Sequence, residues 1–160
     1  IRECIANPDS NTIVKYFVPW NSESYMKEGS VDLIYSQAVL EHVDDLDSVY
    51  KTMNKWLKPD GFMSHQIDFK CHGFASEWNG HYQYSDLLWK VIKGKRPYLI
   101  NREPLQTHID ILNDTGFKIH FLNRVKTESH ISILSLPETY NGISREDLLT
   151  SGCFLQVLKI

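Results

Sequence analysis

The chain has 160 residues, 42% of them hydrophobic and 23% charged, with a formal net charge of -3. That length and apolar content suit one domain with a core of its own. The sequence carries no dense Lys/Arg run, and no apolar stretch reaches the ~18 residues that cross a bilayer, so neither nucleic acid nor a membrane is an expected partner.

The opening, Ile1-Arg2-Glu3-Cys4, has neither an initiator Met nor a basic-then-apolar leader, and reads as the start of a fragment. TIVKYFVPW (12–20) is β-branched and aromatic and is closed by Pro19, the pattern of a strand running into a loop. VDLIYS (31–36) is a near-continuous apolar run, as expected of a parallel strand buried on both faces. Asp44 and Asp45 stand where a helix cap or first-turn carboxylate is favourable. Behind them Leu46, Val49, Tyr50, Met53, Trp56 and Leu57 share one face of a helix, which Pro59 and Gly61 end. FMSHQIDF (62–69) follows as a strand, completing a βαβ unit whose crossover should be right-handed. Residues 84–92 and 104–115 read as helices, the second stopping at Gly116. FKIHFLNRV (117–125) is a strand, and SREDLLTSG (144–152) is a short helix with Ser144 as N-cap and Asp147 at N3. CFLQVLKI (153–160) is a last strand, in the sheet interior or antiparallel to its neighbour. Cys4, Cys71 and Cys153 are odd in number and far apart, which predicts free thiols in a reducing cytoplasm.

The stretch VDLIYSQAVLEHVDDLDSVYKTMNKWLKPDGFMSHQIDF (31–69) resembles the middle of class I S-adenosylmethionine-dependent methyltransferases, of the methyltransferase type 11 kind. The match rests on Asp32, Ser36, Leu40, Glu41, His42, Leu57, Lys58, Pro59 and Gly61, with Asp60 standing where the family usually has Gly. Pro-Asp-Gly remains good turn chemistry. IDFKCHG (67–73), EWNGHYQYSDLLW (77–89) and INREPLQTHIDILNDTGF (100–117) resemble a subgroup of these enzymes associated with bacterial surface-glycan gene clusters.

The resemblance implies an α/β fold in which residues 1–160 form a single C-terminal part of a methyltransferase domain. Its sheet would be a partial Rossmann-like one, holding strands 3 to 7 of a family order 3-2-1-4-5-7-6, with flanking helices and the last strand antiparallel. It implies S-adenosylmethionine as the parent enzyme's cofactor. The acidic Gly-rich loop that lets this cofactor approach a helix N-terminus has no match before Val31, so the chain alone is expected to bind it weakly or not at all, and to be inactive. Without the first two family strands, 31–36 becomes an open apolar edge. Either TIVKYFV folds over that edge or two chains meet there as a homodimer. A non-catalytic binding or assembly module is the alternative to an enzyme fragment.

In the family, the stretch matching Ser36-Gln37-Ala38 lines the methionine portion of the cofactor, largely by backbone; otherwise it is an ordinary strand-to-helix loop. His42, beside Glu41, can serve as a general base near neutral pH, or the pair can simply hold the loop. Asp68 and His72 fall at and just beyond the end of a strand, facing the same crevice. Such a pair can take the proton that an oxygen or nitrogen acceptor loses, or be a turn carboxylate and a surface His. Arg102 can hold an anionic acceptor, or pair with Glu103 or Asp110 while Asn101 caps a helix. Trp78, Asn79, Tyr82 and Tyr84 suit stacking on a small or glycan-type acceptor, or a lid packed on the core. His65, Cys71, His72 and His81 lack metal-ligand spacing, so no metal is expected. No hydrolase elbow or phosphate-binding loop is present.

Overall fold

The computed structural model describes Lys15 and residues 25–160. The strand expected at 12–20, and with it the question of whether TIVKYFV covers the sheet edge, lies outside the described residues. Four strands, β1 (Val31–Gln37), β2 (Leu57–Asp68), β3 (Phe117–Lys126) and β4 (Thr150–Lys159), form one sheet in the order β1-β2-β4-β3. β1 and β2 are parallel, and β4 runs antiparallel to both β2 and β3. This is the expected 4-5-7-6 portion of the family order, with the last strand inside the sheet and antiparallel.

Among the described residues four α-helices accompany the strands: α1 (Leu46–Trp56), α2 (Asp86–Lys93), α3 (Leu105–Asp114) and α4 (Arg145–Leu148). Local chemistry sets their starts. Asp45 accepts the Ser48 N–H at 3.0 Å, the Ser85 side chain accepts from Leu88 N–H, and Ser144 accepts from Asp147 N–H at 2.9 Å. The Ser85 cap is why α2 begins at Asp86 and not at Tyr84. At the far end of α1, Lys159 of β4 donates to the carbonyls of Asn54 and Leu57 at 2.6 and 2.9 Å, where a cation offsets the helix dipole.

β2 begins earlier than its sequence suggests. Leu57 leaves α1 in extended conformation and pairs with Val31 before the register shifts, and Phe62 then pairs with Leu33. The Pro-Asp-Gly segment occupies this irregularity. A Cβ on Gly61 would lie 3.0 Å from both the Val31 and the Lys58 carbonyl oxygen, so only glycine lets the strands approach.

Among the described residues, the sheet is covered on one face. Met63, Ile67, Cys153, Leu155 and Val157 pack against Leu46, Tyr50 and Met53 of α1 and Leu105 and Leu112 of α3. The opposite face carries Leu33, Tyr35, Phe62, Phe121 and Leu158, all exposed among the described residues. The expectation that 31–36 is buried on both faces is therefore corrected: Leu33 and Tyr35 are 49% and 60% exposed. Period-2 alternation places Ile34 and Ser36 inward and these two outward, onto a face that no described helix covers.

β1, β2 and β3 run in one direction, so the connections 38–45, 69–104 and 127–149 leave the same end of the sheet. The two longer ones carry satellite cores of their own. Trp89, Leu99 and Ile100 form one, and Tyr82, Ile131, Leu136, Tyr140 and Leu148 form the other. They build a cap over the C-terminal strand ends, where open α/β sheets bind ligands. No helix among the described residues is long and apolar enough to cross a membrane.

Candidate active site

The described residues have three non-glycine positions with positive φ: Ala38 (52°), His72 (52°) and Arg102 (69°). Ala38 and His72 follow the ends of β1 and β2, and Arg102 lies in the connection that leads into α3. A side chain in this region costs about 1–2 kcal/mol, so the fold holds three strained residues around one crevice.

Ala38 turns the chain out of β1, its N–H fixed to the Gln66 carbonyl at 3.0 Å. The Ser36 hydroxyl is spent on His65 Nδ1 at 2.7 Å, and Gln37 Oε1 accepts from Tyr35 Oη at 2.8 Å. What Ser36, Gln37 and Ala38 still offer a ligand is chiefly backbone.

Asp68 ends β2. Its Oδ1 accepts the Lys70 N–H at 3.0 Å, and its Oδ2 stands 3.6 Å from His72 Nε2. Both side chains are about a third open to solvent. The His42 ring lies against the His72 ring, with centroids 5.4 Å apart. The three proposed proton-handling groups therefore converge. His42 Nδ1 is buried with no hydrogen-bond partner among the described residues.

The other sequence-derived candidates form the cap wall. Asn79 is fully buried, donating to the Leu148 carbonyl at 2.8 Å and accepting from Ser129 at 2.9 Å. Trp78 Nε1–H donates to the Glu128 carbonyl, and the Tyr84 hydroxyl to the Phe74 carbonyl. Asn101 uses both amide hydrogens on the carbonyls of Leu40 and Val43 at 2.8 Å each, while its Oδ1 accepts the Glu103 N–H. It clamps the 40–43 turn and closes a local turn onto Glu103; it does not cap α3 as expected, because the N-cap position is Pro104, which no side chain caps. Arg102 is buried between the Trp89 and Tyr140 rings, 4.9 and 5.4 Å from their centroids. It donates to the Tyr84 carbonyl at 2.7 Å and pairs with Asp86 at 2.8 Å, rather than with Glu103 or Asp110.

The polar groups of Trp78, Asn79, Tyr84 and Asn101 are thus committed to protein partners. Asn79 and Asn101 bridge segments far apart in the chain, a role that local pattern does not encode.

Three histidines are buried and held neutral. Burial lowers His65 to about 4 and His108 to about 3; it also lowers His81 to about 3, with Arg102 adding to the effect. His65 belongs to the core face of the sheet and lies apart from His72 and His81. Among the described residues no group of three or more His, Cys, Asp or Glu is placed to hold a metal ion.

Glu41 is the other half of the Glu41-His42 pair. It is buried at 2% exposure, and among the described residues neither carboxylate oxygen makes a hydrogen bond of good geometry. Burial raises its pKa; its own N–H, the Asp68 N–H and His42 oppose that rise without reversing it.

This architecture is the class I methyltransferase-like fold. Solved structures with the same fold include an S-adenosylmethionine-dependent methyltransferase from Mesorhizobium loti (18% identity, 84% of this chain and 64% of that chain, TM-score 0.52). Another is an S-adenosylmethionine-dependent methyltransferase from Methanosarcina mazei (16% identity, 85% and 62%, TM-score 0.57). A third is the geranyl diphosphate C-methyltransferase of Streptomyces coelicolor A3(2), solved with Mg2+, geranyl diphosphate and S-adenosyl-L-homocysteine (11% identity, 99% and 59%, TM-score 0.60). Residues 7–64 match the methyltransferase domain family. The chain spans roughly three fifths of the length of these structures. No curated protein matches its sequence.

Proposed function

We propose that the chain carries the acceptor side of an S-adenosylmethionine-dependent methyltransferase acting on a small or glycan-type acceptor. The observation that carries this reading is the ring of strained residues, Ala38, His72 and Arg102, around the crevice at the C-terminal strand ends. Strain of this kind persists where a site requires it. The residue 7–64 match and the shared fold support the reaction class.

Ser36, Gln37 and Ala38 would hold the methionine end of the cofactor through their backbone, since the Ser36 hydroxyl is already engaged. The cofactor supplies a methyl group activated by a sulfonium. The described residues offer nothing that fits its ribose or adenine, and no E/D-x-G-x-G occurs in the sequence. The 160-residue chain by itself therefore binds the cofactor weakly and is inactive. Asp68, His72 and His42 accept the acceptor's proton, directly or through water. Trp78 and Tyr84 lend ring surface to the acceptor, and Asn79, Asn101 and Arg102 fix the wall behind it. The buried free thiols of Cys71 and Cys153 suit a reducing, cytoplasmic setting.

Titration of 15N-labelled chain with millimolar S-adenosylmethionine tests this. Amide shifts confined to 36–42 and 68–73 are expected. Shifts elsewhere only, or none, would refute the site, and micromolar affinity by calorimetry would refute weak binding.

The uncovered sheet face favours a second reading. Among the described residues Leu33, Tyr35, Phe62, Phe121 and Leu158 expose apolar surface on one sheet face, the kind of surface that suits assembly, including a homodimer at the β1 edge. A monomer in sedimentation velocity at the highest accessible concentration would remove this reading.

A further inference from the structure

Within the cap, α2 buries one face and leaves the other bare. Trp89 packs with Leu99 and Ile100, and Ile92 lies against that cluster. These contacts anchor the helix and leave Leu87, Leu88 and Val91 exposed among the described residues. Leu87 and Val91 stand one turn apart on a single helix face and are 76% and 73% exposed. Helix propensity does not account for them, since valine is a mediocre helix former and a solvated face is ordinarily polar. Two more apolar side chains are exposed nearby. Tyr98 lies in the turns that follow α2, and Leu134 stands in the short 3-10 turn Ile133–Ser135. That turn and the next are tied to the entrance of α2, where Gln83 donates to Ser135 Oγ at 3.4 Å and Asp86 accepts from Thr139 at 2.8 Å.

The charges around this face have one sign. Residues 87–98 hold four cations, Lys90, Lys93, Lys95 and Arg96, and no acid, in a chain of net charge -3. Lys93 is paired with Asp44, and the Arg96 guanidinium lies 5.3 Å from the Phe74 ring centroid. Lys90 and Lys95 are exposed, and their ammonium groups make no ion pair among the described residues. Asp86, at the start of α2, is already engaged by Arg102 and Thr139. Glu138 is an opposing charge beside the Leu134 turn and puts Leu134 at the margin of the patch.

We propose that this face of the cap docks on an anionic lipid surface. Leu87, Leu88 and Val91 enter the boundary of the acyl chains, Tyr98 sits at headgroup level, and Lys90 and Lys95 meet lipid phosphates. Charge decides against a second copy of the chain: two such faces meeting symmetrically would set cation against cation. Shape points the same way, because side chains three quarters exposed project into a soft surface more readily than they fill a protein groove. The proposal departs from the expectation drawn from composition, which weighs charge and apolar length along the chain and not what the fold exposes. No spanning helix and no dense basic run are required, since α2 lies in the plane of the interface and apolar insertion supplies much of the binding.

Docking does not depend on methyl transfer, so it is tested by binding alone. The chain is co-sedimented with large unilamellar vesicles of phosphatidylcholine and phosphatidylglycerol in equal parts, and with vesicles of phosphatidylcholine only. Saturable binding to the mixed vesicles is expected, weakened by salt and at least about fivefold weaker on phosphatidylcholine alone. Leu87→Ser combined with Val91→Ser should weaken binding at least about tenfold. Both positions are exposed, so an unchanged urea midpoint should show that this variant folds as the parent does. Lys90→Gln with Lys95→Gln should bring binding to the mixed vesicles down towards the phosphatidylcholine level. Leu33→Ser, on the uncovered sheet face, should bind as the parent does. Four outcomes overturn the proposal. One is no binding to either vesicle, which would leave the face to an acidic protein partner. Another is equal binding to both vesicles. A third is binding that Leu33→Ser lowers as much as the α2 double variant, or that the double variant leaves unchanged. The last is a lipid-free dimer in sedimentation velocity that the Leu87→Ser/Val91→Ser chain no longer forms, which would make this face a contact between copies.

Discussion

The Tyr50 hydroxyl lies 2.9 Å from His108 Nδ1, in a contact closed to solvent that joins α1 to α3. Both residues are completely buried, and their rings meet edge to face at 6.0 Å. Burial drives the tyrosine pKa well up and the histidine down to about 3, so the pair is a neutral hydrogen bond. Tyr50→Phe keeps the ring and leaves His108 Nδ1 unpaired, at an expected cost of about 1–3 kcal/mol in urea denaturation. Adding His108→Leu should recover part of that loss, because removing both partners spares the unpaired group. Equal stability of Tyr50→Phe and the parent would show that water already serves this site.

The three buried histidines give the fold a defined acid response. His65, His81 and His108 have native pKa values of about 4, 3 and 3 against an ordinary 6.5. Between those values the unfolded chain binds more protons than the native one. Stability is therefore complete above pH 6.5 and falls as pH drops from there towards 4, by about 1.4 kcal/mol per pH unit for each histidine. Glu41 works in the opposite sense: its raised native pKa means the native state holds the extra proton, so its ionisation costs stability above the ordinary carboxylate value of 4.5. Histidines win if the urea midpoint declines steadily from pH 6.5 to 4.5; a flat profile would mean that they are hydrated or protonated in the native state.

What the sequence reveals about this fold is what is decided locally. The α1 face and the Asp45 and Ser144 caps follow from spacing and capping chemistry, and the structure has them; the antiparallel β4 follows only from the family resemblance. The exposure of Leu33 and Tyr35 does not follow, because an apolar residue reads the same whether or not another layer covers it. The site divides in the same way. Asp68 and His72 are four residues apart and legible as a pair. Arg102 meets Asp86, and Asn101 meets Leu40 and Val43, only through the packing of the cap. Glu41 is buried by segments that arrive some sixty residues later, so its isolation is invisible in the Leu-Glu-His triplet.

Asn101 is expected to control the geometry of the 40–43 turn. Its amide makes two donor bonds to that turn, and its backbone N–H reaches the Glu41 carbonyl at 2.7 Å. Asn101→Ala should cost about 2–3 kcal/mol, the loss of several partly buried bonds. Asn101→Asp should cost more, since a carboxylate would face two carbonyl oxygens without a donor. Hydrogen exchange should report the change at His42 and Val43, whose N–H groups close the turn onto Val39 and Leu40. Unchanged protection there in Asn101→Ala would show that the turn holds itself.

Arg102 tests whether the cap depends on shape or on charge. The planar guanidinium lies between Trp89 and Tyr140 while its two terminal nitrogens reach the Tyr84 carbonyl and Asp86. Lysine keeps the charge but can neither stack as a plane nor bridge both partners. Arg102→Lys should therefore destabilise the chain by about 1–3 kcal/mol, through lost cation–π contact and lost hydrogen bonds. Asp86 is more than half exposed and lowered chiefly by Thr139, so Asp86→Asn should cost much less. Because Tyr140 Oη also donates to the Arg102 carbonyl, Tyr140→Phe should loosen the same strained residue without touching its charge. If Arg102→Lys and Asp86→Asn cost the same, the ion pair rather than the ring sandwich holds the cap, and the positive φ at Arg102 is then maintained by charge alone.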